Sequence, residues 1–313
     1  MKPLITIIMP AYNAANYLSE TIESVLNQSV IDWELLIIDD GSTDKTAQIA
    51  LKYSQIDSRI KVISQSNQGV SVTRNTGIKQ SQSEFIAFID ADDKWFIDKL
   101  ERHIHHFTED VKLGISFAKV EFLNSEGQST GKIAKGILTQ LQPHHFLYEN
   151  PTMTVSNLVV RKEVFTEIGD FDSNMNYAED LDFLLRVMCN STWKIEGINQ
   201  VLMGYRTVDS GLSSKLYSME LGWQNLISKA TIYAPELVNQ HYYSAQSCHL
   251  RYLARRAFRL RLSPKIGVDF MTRSLCSDWK IIFREPRRTL LTMLAVYCIS
   301  LLSVFNSALL FKA

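Results

Sequence analysis

Cysteine is scarce in this chain: four residues in 313, Cys189, Cys248, Cys276 and Cys298, lie far apart, with no CxxC pair and no His/Cys cluster at ligand spacing. A disulfide framework and a structural zinc site are therefore not expected, and a reducing compartment fits. Net charge is also missing, with 33 basic side chains against 33 acidic, and no nucleic-acid partner is expected. Repeats and low-complexity stretches are absent. At 46% hydrophobic and 21% charged residues, the composition excludes a disordered or collagen-like chain. The N-terminus offers Lys2 and an apolar stretch broken by Pro3 and Pro10, too short for a signal sequence, so the chain is expected to start in the cytoplasm.

The neutral total hides an asymmetry. Between residues 241 and 289 eleven Lys/Arg stand against Asp269, Asp278 and Glu285, a surplus of eight that the rest of the chain cancels. An acidic body thus carries a basic C-terminal collar, which needs a partner or a surface. From 289 to 311 no residue is charged. As a helix this segment would extend about 34 Å, against a bilayer core of about 30 Å. It is expected to insert into a membrane, with Arg284, Arg287 and Arg288 holding its leading end in the cytoplasm, the plainer alternative, to which Asn306 and the Ser/Thr residues point, being a core-packed or interfacial hairpin. Upstream, a helical wheel over 250–262 puts Arg251, Arg255, Arg256 and Arg259 on one side and Leu250, Leu253, Ala257 and Leu260 on the other. A basic amphipathic helix of this kind is attracted to an anionic membrane surface, the plainer alternative being a solvated helix face.

The first two hundred residues alternate in pattern. Apolar runs at 5–9, 34–39, 60–64 and 85–89 read as strands. Between them, Leu18, Ile22, Val25 and Leu26 recur at helical spacing, and further helices run to about Tyr53 and over 69–79, the former with Ser42 or Thr43 placed as its cap. This argues for a mostly parallel central sheet flanked by helices. Past Gly114 come a strand to about Phe122, a polar loop over 124–135, strands at 156–160 and 201–206 framing a helix over 178–189, and helix from about 218 to 262.

Four polar clusters fall at the predicted C-terminal ends of strands, where open α/β sheets bind ligands. Pro10-Ala11-Tyr12-Asn13 is a turn that can offer an aromatic face to a base. In Asp39-Asp40-Gly41-Ser42-Thr43-Asp44 the leading carboxylates can accept a pyrimidine imide N–H or a ribose hydroxyl, while Ser42, Thr43 and Asp44 read better as turn and helix cap. Adjacent buried acids are costly without a donor or ligand. Asn67-Gln68-Gly69 leads to Arg74, a candidate partner for a diphosphate and equally for a surface salt bridge. Asp90-Ala91-Asp92-Asp93 sets three carboxylates in four residues, which repel unless a cation such as Mg²⁺ or Mn²⁺ sits among them and bridges to a diphosphate. A calcium-hand loop is excluded, because the required Gly and distal Glu are lacking. Glu179-Asp180 opens a helix. Acids there are ordinary dipole partners, yet after nucleotide-like and metal-like clusters such a carboxylate can also take a hydroxyl proton.

In this order, the segments ITIIMPAYNAANYL, ESVLNQS, WELLIIDDGSTD, NQGVSVTRNTGI, FIAFIDADDKWFIDKLE and YAEDLDFLLRV resemble the family 2 glycosyltransferases of the GT-A fold, over about residues 3–206. The resemblance implies a metal-dependent, inverting transfer from a UDP-, dTDP- or GDP-linked sugar to a glycan or lipid-linked acceptor. It implies that Pro10, Tyr12, Asp39 and Asp40 line the nucleotide site, with Tyr12 and Asp40 at the base and Arg74 near the base or diphosphate. Asp92 would ligate Mg²⁺ or Mn²⁺, assisted by Asp90 as first acid of the DxD motif. Asp180 would be the catalytic base, with Glu179 and Arg206 as possible support. One departure stands out. Many relatives carry Tyr-Arg-x-His after the last catalytic strand, where this chain reads Tyr205-Arg206-Thr207-Val208. That leaves the histidine's role to Arg206, to water or to Ser213.

The expected organisation is a nucleotide-sugar-binding half over 1–110, an acceptor half of the same domain over 111–215, a helical basic extension over 216–288 and a membrane helix over 289–311. The enzyme would work at the cytoplasmic face of a membrane, in polysaccharide or cell-surface glycan synthesis. Two other readings compete. A sugar nucleotidyltransferase needs a glycine-rich, arginine-containing loop where Pro10-Ala11-Tyr12-Asn13 stands. A non-catalytic, membrane-bound nucleotide-sugar binder or scaffold gains from the missing histidine and loses from intact Asp92 and Asp180.

Overall fold

The computed structural model describes residues 2–207 and 214–310, with side chains as far as residue 298. The chain divides into two compact units, residues 1–143 with 150–208, and residues 144–149 with 209–313.

The first unit begins as a strand–helix winding of β1 (Ile5–Ala11), α1 (Leu18–Leu26), β2 (Trp33–Asp40), α2 (Thr46–Ile56), β3 (Ile60–Gln65), α3 (Val70–Gln80) and β4 (Phe85–Phe88). β1 and β2 are buried almost end to end, as expected of parallel strands covered on both faces. There follow β5 (Lys94–Trp95), α4 (Lys99–Glu109), β6 (Leu113–Leu123), β7 (Ser129–Ile133), α5 (His145–Tyr148), β8 (Val159–Arg161), α6 (Lys162–Ile168), α7 (Glu179–Asn190) and β9 (Lys194–Arg206); of these, α5 belongs to the second unit. The strand order is β3-β2-β1-β4-β8-β6-β9-β5, with β7 beside β6.

The sheet is mixed but mostly parallel, as expected: six of its nine strands run in one direction. β3, β2, β1 and β4 are parallel, as are β6 and β9, but β8 runs antiparallel to both β4 and β6, and β5 and β7 are antiparallel to their neighbours. Apolar runs reveal strands without revealing their direction, and that is set by connections read only in three dimensions. The strand expected at 156–160 is a 3₁₀ turn over Val155–Asn157 followed by the short β8. The polar loop at 124–135 contains β7, every residue of which is exposed, so no apolar alternation marks it. The first turn of α2 is served by Asp44, whose Oδ1 accepts the Thr46 N–H at 2.9 Å, rather than by Ser42 or Thr43.

Strand register fixes where the polar clusters emerge. Ala11 pairs with Asp39, Asp40 with Gln65, and Ile8 with Phe88, so the residues after β1, β2 and β4 leave one edge of the sheet together. Beneath them Ile7, Met9, Leu35, Ile37, Ala87 and Ile89 form part of a continuous buried core.

The second unit consists of α5 with α8 (Leu216–Tyr233), α9 (Pro235–Arg259), α10 (Pro264–Ser277), α11 (Ile281–Arg284) and α12 (Pro286–Leu310). Pro235 divides the helix expected over 218–262, because proline is accepted in a first turn and not in a helix interior. Leu250, Leu253, Ala257 and Phe270 pack with Val296 of α12. Arg251 does not join the solvated stripe expected of it. It is buried, donating to Glu285 at 2.9 Å and to Thr289 Oγ1 at 3.2 Å. Among the described residues no helix is long and apolar enough to cross a membrane. The expected span over 289–311 therefore lacks support, because threonines and serines dilute its hydropathy and its leading turns are used in packing.

Candidate functional site

The sheet edge is assembled by backbone turns and side-chain oxygens. Asn13, in the left-handed region at φ 49°, donates its N–H to Ser42 Oγ and accepts the Thr43 N–H at 2.8 Å, so the turns after β1 and β2 are stitched together. Pro10 stays within β1, while Tyr12 is 53% exposed at this junction. Asp39 accepts the Ser42 N–H at 3.2 Å. Asp40 is buried, and its carboxylate accepts Gln65 Nε2 at 2.8 Å and the N–H groups of Gln68 and Gly69, each at 2.9 Å. These bonds leave the two carboxylate oxygens acceptor capacity for the expected contact with a base, and they fold the loop into α3. Gly69 is required there: its φ is +89°, and a Cβ would stand 2.4 Å from Asn176 Oδ1.

α3 carries Arg74 inward, where its guanidinium joins two elements far apart in sequence. Nη2 donates to Asp90 Oδ1 at 2.8 Å and Nη1 to Glu179 Oε1 at 2.7 Å. Burial opposes the charge, but Asp90 and Glu179 outweigh it and hold the pKa of Arg74 above its usual value. Both Nη groups are engaged by protein, so Arg74 forms a salt-bridged clamp between the loop after β4 and the start of α7. Asp90 Oδ2 also accepts Thr154 Oγ1 at 3.3 Å.

Asp180 follows directly on the clamp. Ala178, at φ 58°, turns the chain sharply into α7, a strained position of the kind that clusters at functional sites. Asp180 is partly exposed yet densely surrounded; burial, and then the neighbouring Glu179, push its pKa up to about 7, against the opposing pull of the Leu181 N–H and Arg74. That is where a general base working near neutrality is best placed. Asn150 Nδ2 donates to Asp180 Oδ2 at 2.5 Å, and Asn150 Oδ1 is itself fixed by Thr152. Asn150 and Thr154 were not legible as site residues: each meets its carboxylate through a turn with no motif, and only the density of Asn and Thr over 150–154 hinted at it. Asn150→Ala is expected to lower kcat about 10- to 100-fold, from loss of a charge-assisted bond of about 1.5–3 kcal/mol. It should also move the acidic limb of the pH profile upward, because a donor to the ionised form is gone; steady-state kinetics across pH checks both.

The remaining acids divide by direction. Asp92 is the outward carboxylate, and burial together with Asp90 raises its pKa to about 6. Asp93 turns inward and accepts the Arg206 N–H at 3.0 Å; burial, then Asp92 and Asp90, push its pKa well up. Arg206 is buried and engaged throughout, donating from Nε to the Asp92 carbonyl, from Nη1 to the Ser125 carbonyl and from Nη2 to Glu20 Oε2 at 2.6 Å. It braces the acidic loop from behind. Val208 and Ser213 lie outside the described residues. Below the loop sit Lys99 and His103, both fully buried; burial lowers Lys99 to about 7 and His103 well below its usual range. Among the described residues no group of three or more His, Cys, Asp or Glu is arranged to hold a metal. Of the expected ligands, Asp90 is held by Arg74 and Thr154 and each of its oxygens keeps a further lone pair, while among the described residues no other side chain holds the Asp92 carboxylate.

An edge with an outward carboxylate on one side and a base-like carboxylate on the other suits a group-transfer enzyme acting on an alcohol. The chain belongs to glycosyl transferase family 2, whose description matches residues 6–169. It is 30% identical over 266 residues to the Bacillus subtilis strain 168 protein described as a teichuronic acid biosynthesis glycosyltransferase, TuaG, covering 83% of this chain and 98% of the relative. It is 30% identical over 225 residues to the Escherichia coli UDP-Glc:alpha-D-GlcNAc-diphosphoundecaprenol beta-1,3-glucosyltransferase WfgD, covering 71% of this chain and 85% of that one. The mannosyltransferase PcManGT from Pyrobaculum calidifontis, solved with GDP-Man and Mn²⁺, shares the fold at TM-score 0.59 and 15% identity, over 96% of this chain and 88% of its own.

Proposed function

We propose that this glycosyltransferase moves a sugar, with inversion, from a nucleoside-diphosphate sugar to the hydroxyl of a glycan or lipid-linked acceptor during cell-surface polysaccharide synthesis. The observation that carries the reading is the Arg74 clamp, which ties Asp90 to Glu179 and so sets Asp180 beside the acidic loop. In the step proposed, Asp180 takes the acceptor hydroxyl proton while that oxygen bonds to the anomeric carbon. The bond from that carbon to the phosphate oxygen breaks, and its electron pair leaves with the nucleoside diphosphate. TuaG and WfgD, named for teichuronic acid and for a diphosphoundecaprenol acceptor, support the acceptor class; the cytoplasmic face of a membrane is proposed as the place of reaction. Membership of this family leaves the nucleotidyltransferase reading without ground, and donor hydrolysis by purified protein separates an active enzyme from a scaffold.

The donor set fits a divalent cation in part. Asp92 is a hard oxygen ligand whose raised pKa a cation would relieve, and the diphosphate would supply further oxygens. Bound there, Mg²⁺ or Mn²⁺ would stabilise charge on the departing diphosphate. Asp92→Asn is expected to abolish the Mn²⁺-dependent part of UDP or GDP binding; calorimetry with and without Mn²⁺ that finds equal affinity in both proteins overturns the assignment.

A further inference from the structure

The first two turns of α12, ahead of the buried Val296, carry polar residues inward and leucines outward. Thr289 and Thr292 are buried, while Leu290, Leu291 and Leu294 stand 52%, 58% and 62% exposed. At about 3.6 residues per turn the three leucines form a single stripe about 100° wide. The buried threonines are accounted for: Thr289 Oγ1 bonds Arg251 and the Ile281 carbonyl, and Thr292 donates to the Arg288 carbonyl. The outward leucines are an apolar face on a helix whose opposite side is already packed.

Arginines gather at the start of α12 and on α9: Arg251 and Arg288 are matched by acids, while among the described residues no ion pair holds Arg255, Arg259 or Arg287. Glu285 is shared by Arg251 and Arg288, and Glu149 accepts Arg288 at 2.7 Å. Arg255, exposed on α9, faces Arg259, Arg288 and Arg251 as well as Glu149; its partial burial and then the like charges lower its pKa against the pull of Glu149. Arg287, also exposed, lies one turn before the leucines. A symmetric second copy would set the same arginines against each other, and three leucines fall far short of the roughly 800 Å² per partner of a stable dimer. An anionic surface answers both the charge and the apolar stripe.

We propose that the face formed by α9 and the leading turns of α12 docks on an anionic lipid bilayer, with Leu290, Leu291 and Leu294 entering the headgroup boundary and Arg255, Arg259 and Arg287 meeting lipid phosphates. The helix lies in the surface instead of crossing it, as basic amphipathic helices do.

The full chain is tested by sedimentation with phosphatidylcholine vesicles, with and without phosphatidylglycerol. Binding is expected to the anionic vesicles alone and to be released when salt is raised from about 0.1 to 1 M, as the screening length falls from about 10 to 3 Å. Arg255→Gln with Arg259→Gln should weaken partition about 25-fold, at about fivefold per arginine. Leu290→Ser with Leu291→Ser and Leu294→Ser should abolish it, while circular dichroism and donor hydrolysis stay at the parent level. Equal binding to neutral vesicles, unchanged partition of either variant, or no binding by the parent overturns the proposal. So does a dimer in light scattering that the leucine substitutions dissolve. Because vesicle binding is read without any sugar transfer, its failure is separable from failure of the catalytic assignment.

Discussion

Asp180→Asn lowers turnover by about 100- to 10,000-fold, the span associated with a positioned base, while affinity for the nucleotide sugar is kept. The substitution preserves shape and the hydrogen bond from Leu181, but removes the group that accepts a proton. With its pKa pushed up to about 7, Asp180 in the parent is half protonated near neutrality. The base form is the ionised one, so kcat falls as pH drops below about 7 and levels off above it, and the variant's residual rate loses that limb. The stability sign is opposite. A carboxyl whose pKa is higher folded than unfolded favours the native state at low pH and loses that contribution as pH rises toward 7. Asp180→Asn should therefore raise the thermal midpoint at pH 8 relative to the parent and leave it nearly unchanged at pH 4. A variant that turns over at the parent rate removes Asp180 from the role.

Arg74→Leu is expected to cost about 3–5 kcal/mol of folding stability, the range for taking one partner from a buried ion pair. The reason is specific to this site: Asp90 and Glu179 would face each other with the shared cation gone. The shape of the guanidinium matters as well as its charge, since one fork reaches both carboxylates. Arg74→Lys should keep the charge, hold only one acid and recover less than half of the loss. Urea unfolding midpoints read this directly, and a shift below about 1 kcal/mol for Arg74→Leu would mean that the clamp holds nothing. In whatever folds, kcat should suffer more than the Michaelis constant for the donor, because the clamp sets the start of α7 relative to the acidic loop.

Much of the first unit was legible because its signals are local. The apolar runs of β1, β2 and β4, the spacing of α1, and the acids after each strand stand in short windows, so element type and the C-terminal edge followed from periodicity. The direction of the three antiparallel strands was not legible. β8 is three residues long and leads straight into α6, and nothing in Val159–Arg161 says that it runs against β4 and β6. β7 escaped because a strand exposed at every residue has no pattern to show.

At the site, residue types were readable and partnerships were not. That Asp90, Asp92, Glu179 and Asp180 matter could be read from order and motif; that Arg74 would bind two of them could not, because Asp90 and Glu179 meet it from 16 and 105 residues away. Arg206, Asn150 and Thr154 likewise acquire their parts from partners brought by the fold. Sequence alone determined the chemical inventory and the family, since both reside in contiguous segments whose side chains carry their own chemistry. Tertiary structure alone decided which acid is neutralised, which is left outward and which has its proton affinity raised. Those properties depend on distance and burial between groups that the chain keeps far apart until it folds.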